Sequence, residues 1–161
     1  MQYCMYYHSP VGQLLLTSDG TSLTGLAMDA SIPEGACPGD GIPVLEQTGL
    51  WLDAYFAGRE LPVDFPLAPA GTAFRQQVWT LLREIPFGTT RTYGDLAKEM
   101  ARLAGKERMS SQAIGSAVGA NPIAILIPCH RVLGAGGTLT GYAWGLERKA
   151  WLLEHERGGK S

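Results

Sequence analysis

No apolar run in this sequence approaches the ~18 residues a membrane-crossing helix needs, and the opening "MQYCMYYHSPVG" lacks the charged-then-apolar pattern of a secretory leader. A soluble, cytoplasmic protein with no membrane partner is expected. A basic excess is missing as well: 13 Lys and Arg stand against 15 Asp and Glu, a formal charge of −2, so any binding to nucleic acid must come from a local patch. The three cysteines, Cys4, Cys37 and Cys129, are an odd set at wide spacing with no CxxC pair. That suits a reducing compartment better than a disulfide framework. Cys4 and His8 are metal-ligand types without a second pair, so neither a metal nor a cofactor is expected. Charge is sparse at 17%, while 21 glycines and 10 prolines promise many turns and loops.

The hydrophobic pattern divides the chain near residue 70. Residues 3–7, 11–17 and 23–28 read as strands of a small antiparallel meander joined by "SP" and "SDG". The Gly- and Pro-dense stretch 30–43 reads as loop. A helix over 44–57 follows, with Val44, Leu45, Trp51, Leu52, Tyr55 and Phe56 on one face. "RELPVDFPLAPAG", 59–71, reads as a strand or linker at a domain boundary. The expected domains are thus 1–70 (α/β) and 71–161 (mainly helical), an α/β (α+β) fold class overall. In the second domain Thr72 caps a helix, Thr92 precedes another of about ten residues, and Ser110 or Ser111 precedes a third that stops at "ANP". The last two suggest a helix-turn-helix with a link, "RLAGKERM", longer than the minimal turn. A final helix over 145–156 is expected to pack Leu146, Ala150 and Leu153 inward.

"ILIPCHRV", 125–132, ends an apolar run in a reactive triplet. Local composition favours a packed core cysteine, because free Cys is among the most buried residue types. Chemistry favours a nucleophile: Cys129 has His130 and Arg131 next to it, and the late "EHE" offers Glu154 and Glu156 to orient the imidazole. The motif by itself is compatible with many Cys-His chemistries.

The wider pattern narrows this. "NPIAILIPCHRV" with "GTLTGYAWGLERKAWLLEHE" and, upstream, "FRQQVWTLLREIPFGTTRTYGDLA" resembles the O6-alkylguanine-DNA alkyltransferases. The first 70 residues match that family only in general layout, a small sheet with a helix, ribonuclease H-like. The resemblance implies single-turnover transfer of an alkyl group from O6 of guanine in double-stranded DNA, and from O4 of thymine as a further substrate, to Cys129. It implies a Cys129–water–His130–Glu156 relay, with Tyr93 donating to the base and Asn121 bracing the turn. Val132, Tyr142, Ala143 and Trp144 would line the pocket. Gln112, Ala113, Gly115, Ser116 and Arg131 would meet DNA in the minor groove, with the base flipped out. A monomer without cofactor is implied.

Gln112 stands where most relatives carry arginine, and Gly119 where a second basic residue is common, which predicts weak DNA affinity with shallow salt dependence. Trp144 stands where several relatives have glycine and is expected to narrow the pocket rim against bulky adducts. Three rival functions lack a feature they require. Lesion sensors of this family replace the cysteine, a methylation-sensing regulator needs a further domain, and a Cys-His hydrolase needs oxyanion donors that the sequence does not offer.

Overall fold

The computed structural model describes residues 1–159. The chain forms two compact units: Met1–Ala70 with Pro122–Ala124, and Gly71–Asn121 with Ile125–Arg157.

In the first unit, β1 (Tyr3–Ser9), β2 (Gly12–Ser18) and β3 (Leu23–Met28) make the antiparallel meander read from the pattern. In the sheet β2 lies between β3 and β1, and a fourth strand, β4 (Cys37–Pro38), lies beyond β1. β2 is central and its Leu14, Leu15 and Leu16 are all buried, which is why it reads as a continuous apolar run and not an alternation. The β2–β3 turn is held by Asp19, whose carboxylate accepts from the amides of Thr21 and Ser22 at 2.9 and 2.8 Å. Part of the 30–43 stretch read as loop is instead a strand: β4 (Cys37–Pro38) pairs in parallel with Tyr3 and Cys4. Two residues are too short to leave a periodic signature. α1 (Pro43–Phe56) starts on a proline, whose missing N–H is no loss at that position, and the chain turns away at Gly58 with φ +87°. Its buried face is Val44, Leu45, Thr48, Leu52 and Tyr55, with Trp51 and Phe56 only partly covered. The proline-rich segment and the 122–124 segment both clip onto β3, through Leu23 N–Pro66 O (2.9 Å) and Leu26 N–Pro122 O (2.9 Å).

In the second unit, α2 (Ala73–Arg83) is capped by Thr72, whose hydroxyl accepts from Arg75 N. α3 (Tyr93–Leu103) begins with a reciprocal capping box of Thr92 and Asp95. α4 (Ser111–Gly119) is capped by Ser110. α3 and α4 pack together as a helix-turn-helix, and α2 supports α4 through the Trp79 indole, which donates to Ala117 O at 2.8 Å. A two-residue bridge, β5 (Arg91–Thr92) parallel to β6 (Val132–Leu133), joins the start of α3 to the segment after Cys129.

The last helix, α5 (Leu146–Gly159), turns a different face inward than the sequence suggested. Its buried residues are Lys149, Leu152 and Glu156, at i, i+3 and i+7, whereas Leu146 and Ala150 are exposed and Leu153 is half-buried. Assigning charged residues to solvent selected the wrong stripe. Among the described residues, no helix is long and apolar enough to cross a membrane.

Candidate active site

Residues 121–132 form a buried bend, not a strand. Asn121 closes it by donating Nδ2–H to Ile127 O at 2.8 Å. Within it Ile125 takes φ +69°, a left-handed conformation that is an outlier for a β-branched residue and is kept only where surrounding packing enforces it. Ile123 to Val132 are all buried. After Pro128 the chain makes one tight 3₁₀ turn, Cys129–Arg131, so that neighbouring side chains in sequence diverge as they would not in an extended strand.

Cys129 lies at 4% exposure against a cavity of about 130 Å³ lined by Tyr93, Gly115, Val118, Gly119, Gly141, Tyr142 and Ala143. Burial pushes its thiol up to about 11, opposed by a side-chain hydrogen bond with Asn121 and by the charge of Lys149. At neutral pH the resting group is therefore a thiol, and a base is needed to ionise it. Tyr93 and Tyr142 are both raised above the ordinary phenol value, first by burial and then by Cys129, so each keeps its proton and remains a donor. Among the described residues, the Tyr142 hydroxyl has no hydrogen-bond partner.

Behind the cysteine stands a buried ionic cluster. His130 Nε2 lies 2.5 Å from Glu156 Oε2, and Arg131 donates Nε–H to Oε1 at 2.8 Å and Nη2–H to Oε2 at 3.1 Å. Gly88 N adds a fourth donor to Glu156 at 3.3 Å. Burial alone would raise the Glu156 carboxyl, but the hydrogen bonds and charges of His130 and Arg131 outweigh it and hold it well below the carboxylate range. Burial lowers His130, against the pull of Glu156, so the imidazole is neutral near pH 7. A carboxylate only accepts, which places the proton on Nε2 and leaves the lone pair on Nδ1. Nδ1 has no protein partner among the described residues and is free to take a proton.

Several sequence expectations change here. Arg131, assigned to DNA, is 8% exposed and spent: besides Glu156, its Nη1 donates to Ile85 O at 2.6 Å and its guanidinium sits over the Phe87 ring. Its fork is not offered to a duplex. Glu154 faces solvent on Arg157, leaving Glu156 as the histidine's partner. Trp144 is not among the residues lining the cavity; it packs edge-to-face on Tyr142, with ring centroids 5.3 Å apart. Val132 is fully buried and also absent from the lining. Gly115, assigned to DNA, lines the cavity. On α4, Gln112 and Ser116 are exposed and Ala113 is partly covered. Lys149, with no exposure at all, escaped the sequence reading altogether, as did Val118 and Gly141 in the cavity wall, and Gly119, read only as a missing basic residue, lines the cavity as well. The Lys149–Leu152–Glu156 spacing was a usable signal. Among the described residues no cluster of three His, Cys, Asp or Glu is placed to hold a metal ion.

Comparison with known proteins adds an independent finding. Residues 73–158 match the family described as "6-O-methylguanine DNA methyltransferase, DNA binding domain", and residues 2–69 match "6-O-methylguanine DNA methyltransferase, ribonuclease-like domain". The methylated-DNA–protein-cysteine methyltransferase of Haemophilus influenzae is 43% identical over 162 residues, covering 96% of this chain and 86% of its own. That of Methanosarcina acetivorans is 41% identical over 157 residues, covering 96% and 97%. Among solved structures, Mycobacterium tuberculosis OGT in complex with DNA matches with a TM-score of 0.85 at 39% identity, over 98% of this chain and 94% of that one. With both halves matched and the likeness running the length of the chain, the protein belongs to the 6-O-methylguanine DNA methyltransferase family.

Proposed function

We propose that this protein repairs alkylated double-stranded DNA by moving an alkyl group, chiefly methyl, from O6 of guanine onto Cys129, once per molecule. The observation that carries this reading is the buried thiol at the wall of a small cavity, with the neutral, Glu156-held imidazole of His130 as its neighbour. A cavity of about 130 Å³ suits one nucleobase and little more. Because O6 lies within the base stack, the lesion must leave the duplex to reach it.

The chemistry follows from the groups present. His130 Nδ1 accepts the Cys129 proton through a water, and the developing imidazolium is stabilised by Glu156, already ionised. The thiolate sulfur attacks the alkyl carbon in line, the C–O6 bond breaks, and its electron pair passes into the guanine ring. Tyr93, still protonated, donates to the base and offsets that charge. Tyr142 and Ala143 form the wall, with the Ala143 amide donating to O6 and main-chain carbonyls of Cys129 and Val132 accepting from the exocyclic amine. Asn121 fixes the bend. The thioether formed is stable, so the protein is consumed; O4-alkylthymine fits the same scheme. DNA is met in the minor groove by the outer face of α4, with Gln112, Ala113 and Ser116 against it and Gly115 between groove and cavity. The protein acts as a monomer, in the reducing cytoplasm that its free thiols suit.

The test is stoichiometry. An excess of an oligonucleotide carrying O6-methylguanine should be repaired to one equivalent per protein and then no further. Continued turnover would contradict self-inactivation. Tight binding with no repair would identify a lesion sensor instead.

A further inference from the structure

The charges of the chain are divided unevenly. Residues 1–70 hold eight Asp and Glu against a single cation, Arg59, a formal −7, whereas residues 71–161 hold 12 Lys and Arg against seven Asp and Glu, a formal +5. The overall −2 conceals this division. All eight carboxylates of the first segment are exposed, from Asp19 after β2, through Glu46 and Asp53 on α1, to Asp64 in the proline-rich segment. Two of them have local duties that leave the charge in place. Asp19 accepts from the turn amides of Ser22 and Thr21, which lowers its pKa, and Asp53 accepts from the Tyr7 hydroxyl, which burial and Asp53 together keep protonated. An ordinary surface intersperses both signs, whereas a surface of one sign over half a chain acts at long range. The cations are gathered as well: Arg91 in β5, Lys98 on α3, and Lys106 and Arg108 in the link to α4 are all exposed. Lys98 and Arg108 line one surface depression with Ser110 and Ser111 at the start of α4.

We propose that the acidic surface of residues 1–70 is an electrostatic counterweight to the helix-turn-helix: it turns the chain cation-first toward a polyanion and shortens its stay on undamaged duplex. This rests on duplex DNA being the partner, as proposed above. Non-specific binding is carried almost entirely by cations that neutralise phosphates and release their counterions. Carboxylates on the same chain subtract from that attraction wherever the screening length reaches them, about 30 Å at 0.01 M salt and about 8 Å at 0.15 M. A length of about 30 Å is the diameter of a small domain, so at low salt the whole acidic surface counts. On damaged DNA the flipped base adds contacts inside the cavity that this repulsion does not reach. On undamaged DNA nothing offsets it. A protein that acts once is thereby kept from being sequestered by the far more numerous undamaged sites.

The test uses the full chain and an undamaged duplex oligonucleotide. Glu34→Gln, Asp40→Asn, Glu46→Gln and Asp64→Asn are combined, which removes four negative charges and turns the formal −2 into +2 while leaving the cavity lining and the helix-turn-helix untouched. A charge-conserving variant carries Glu34→Asp, Asp40→Glu, Glu46→Asp and Asp64→Glu. Kd is read by fluorescence anisotropy at low salt, about 20 mM, and high salt, about 400 mM. The neutralised variant should bind tighter than wild type by about three- to tenfold at low salt and lie within about twofold of it at high salt. The charge-conserving variant should stay at the wild-type value at both. An unmoved Kd at low salt, a tightening that persists at high salt, or the same tightening in the charge-conserving variant overturns the proposal. Should the combined variant not fold by circular dichroism, Glu34→Gln with Asp40→Asn and Glu46→Gln with Asp64→Asn are measured as separate pairs. Each should give part of the gain, and no gain in either overturns the proposal. A wild-type chain that bound no duplex at either salt would overturn DNA as the partner along with this proposal, whereas measurable wild-type binding with an unmoved variant overturns the counterweight alone.

Discussion

The two units bury different chemistry. In the unit built on the β-meander, the buried polar residues are Ser18 and Thr48, each spending its hydroxyl on a backbone carbonyl. In the unit that carries the cysteine, they are Asn121, His130, Arg131, Lys149 and Glu156. The first interior follows from the hydrophobic effect alone. The second contains ionised groups whose desolvation is costly, and hydrophobic residues of similar size would often be at least as stable in their place. Such a cluster beside a cavity marks where stability has been given up for a reactive arrangement.

The comparison can be broken most sharply at Cys129. Cys129→Ala should leave the fold intact, since the change is small and apolar, yet reduce transfer to nothing in a single-turnover assay. Next, Glu156→Gln should cost about 3–5 kcal/mol in denaturant unfolding, because it leaves the Arg131 charge buried without its partner, and should slow transfer as well. Leu16→Ala in the other interior should cost a comparable 2–5 kcal/mol, roughly the range for a core truncation, while the transfer rate of the folded protein stays at the wild-type value. Loss of rate in Leu16→Ala, or its retention in Glu156→Gln, would erase the distinction between the two interiors.

A pH titration sharpens the same contrast with a smaller effect. His130 and Glu156 both have folded-state values below their unfolded ones, so as pH falls the unfolded chain takes up protons first. Their contribution is complete above about pH 6.5 and is lost progressively as the pH drops through the histidine and then the carboxylate range. Cys129 is raised, so its contribution is complete below about pH 8.5 and is lost as the pH rises toward about 11. Stability should therefore peak near neutrality, and Glu156→Gln should flatten the acid limb. The smallest effect belongs to the outer face of α4: Gln112→Arg, at an exposed position outside the cavity lining, should tighten DNA binding and steepen the salt dependence by roughly 0.9 in log–log slope, one added phosphate contact. An unchanged slope would remove Gln112 from the DNA face.

How much of this was legible in the sequence also differs between the units. The meander was readable because strands and turns are local: short apolar runs and the "SP" and "SDG" turns between them are decided within a few residues. Caps at Thr72 and Thr92 were readable for the same reason, and of the two candidates Ser110 and Ser111 the cap is Ser110. The Cys-His-Glu constellation was anticipated from family resemblance, and His130 and Glu156, 26 residues apart, do meet. What was not legible depended on tertiary choice. Arg131 looks like a surface cation until Glu156 and Ile85 claim it. Trp144 sits two residues from Tyr142, but only packing decides whether an indole lines the cavity or spends its face on the neighbouring ring. Lys149 was not singled out at all, although its spacing from Leu152 and Glu156 is helical and visible in the sequence.

The central claim, that Cys129 is the alkyl acceptor, is tested most directly by intact mass spectrometry after incubation with an oligonucleotide carrying O6-methylguanine, followed by peptide mapping. The account predicts a gain of a single methylene per molecule, confined to the peptide containing Cys129 and absent in Cys129→Ala. A gain on the peptides of Cys4 or Cys37, or repaired DNA with an unchanged protein mass, would contradict it.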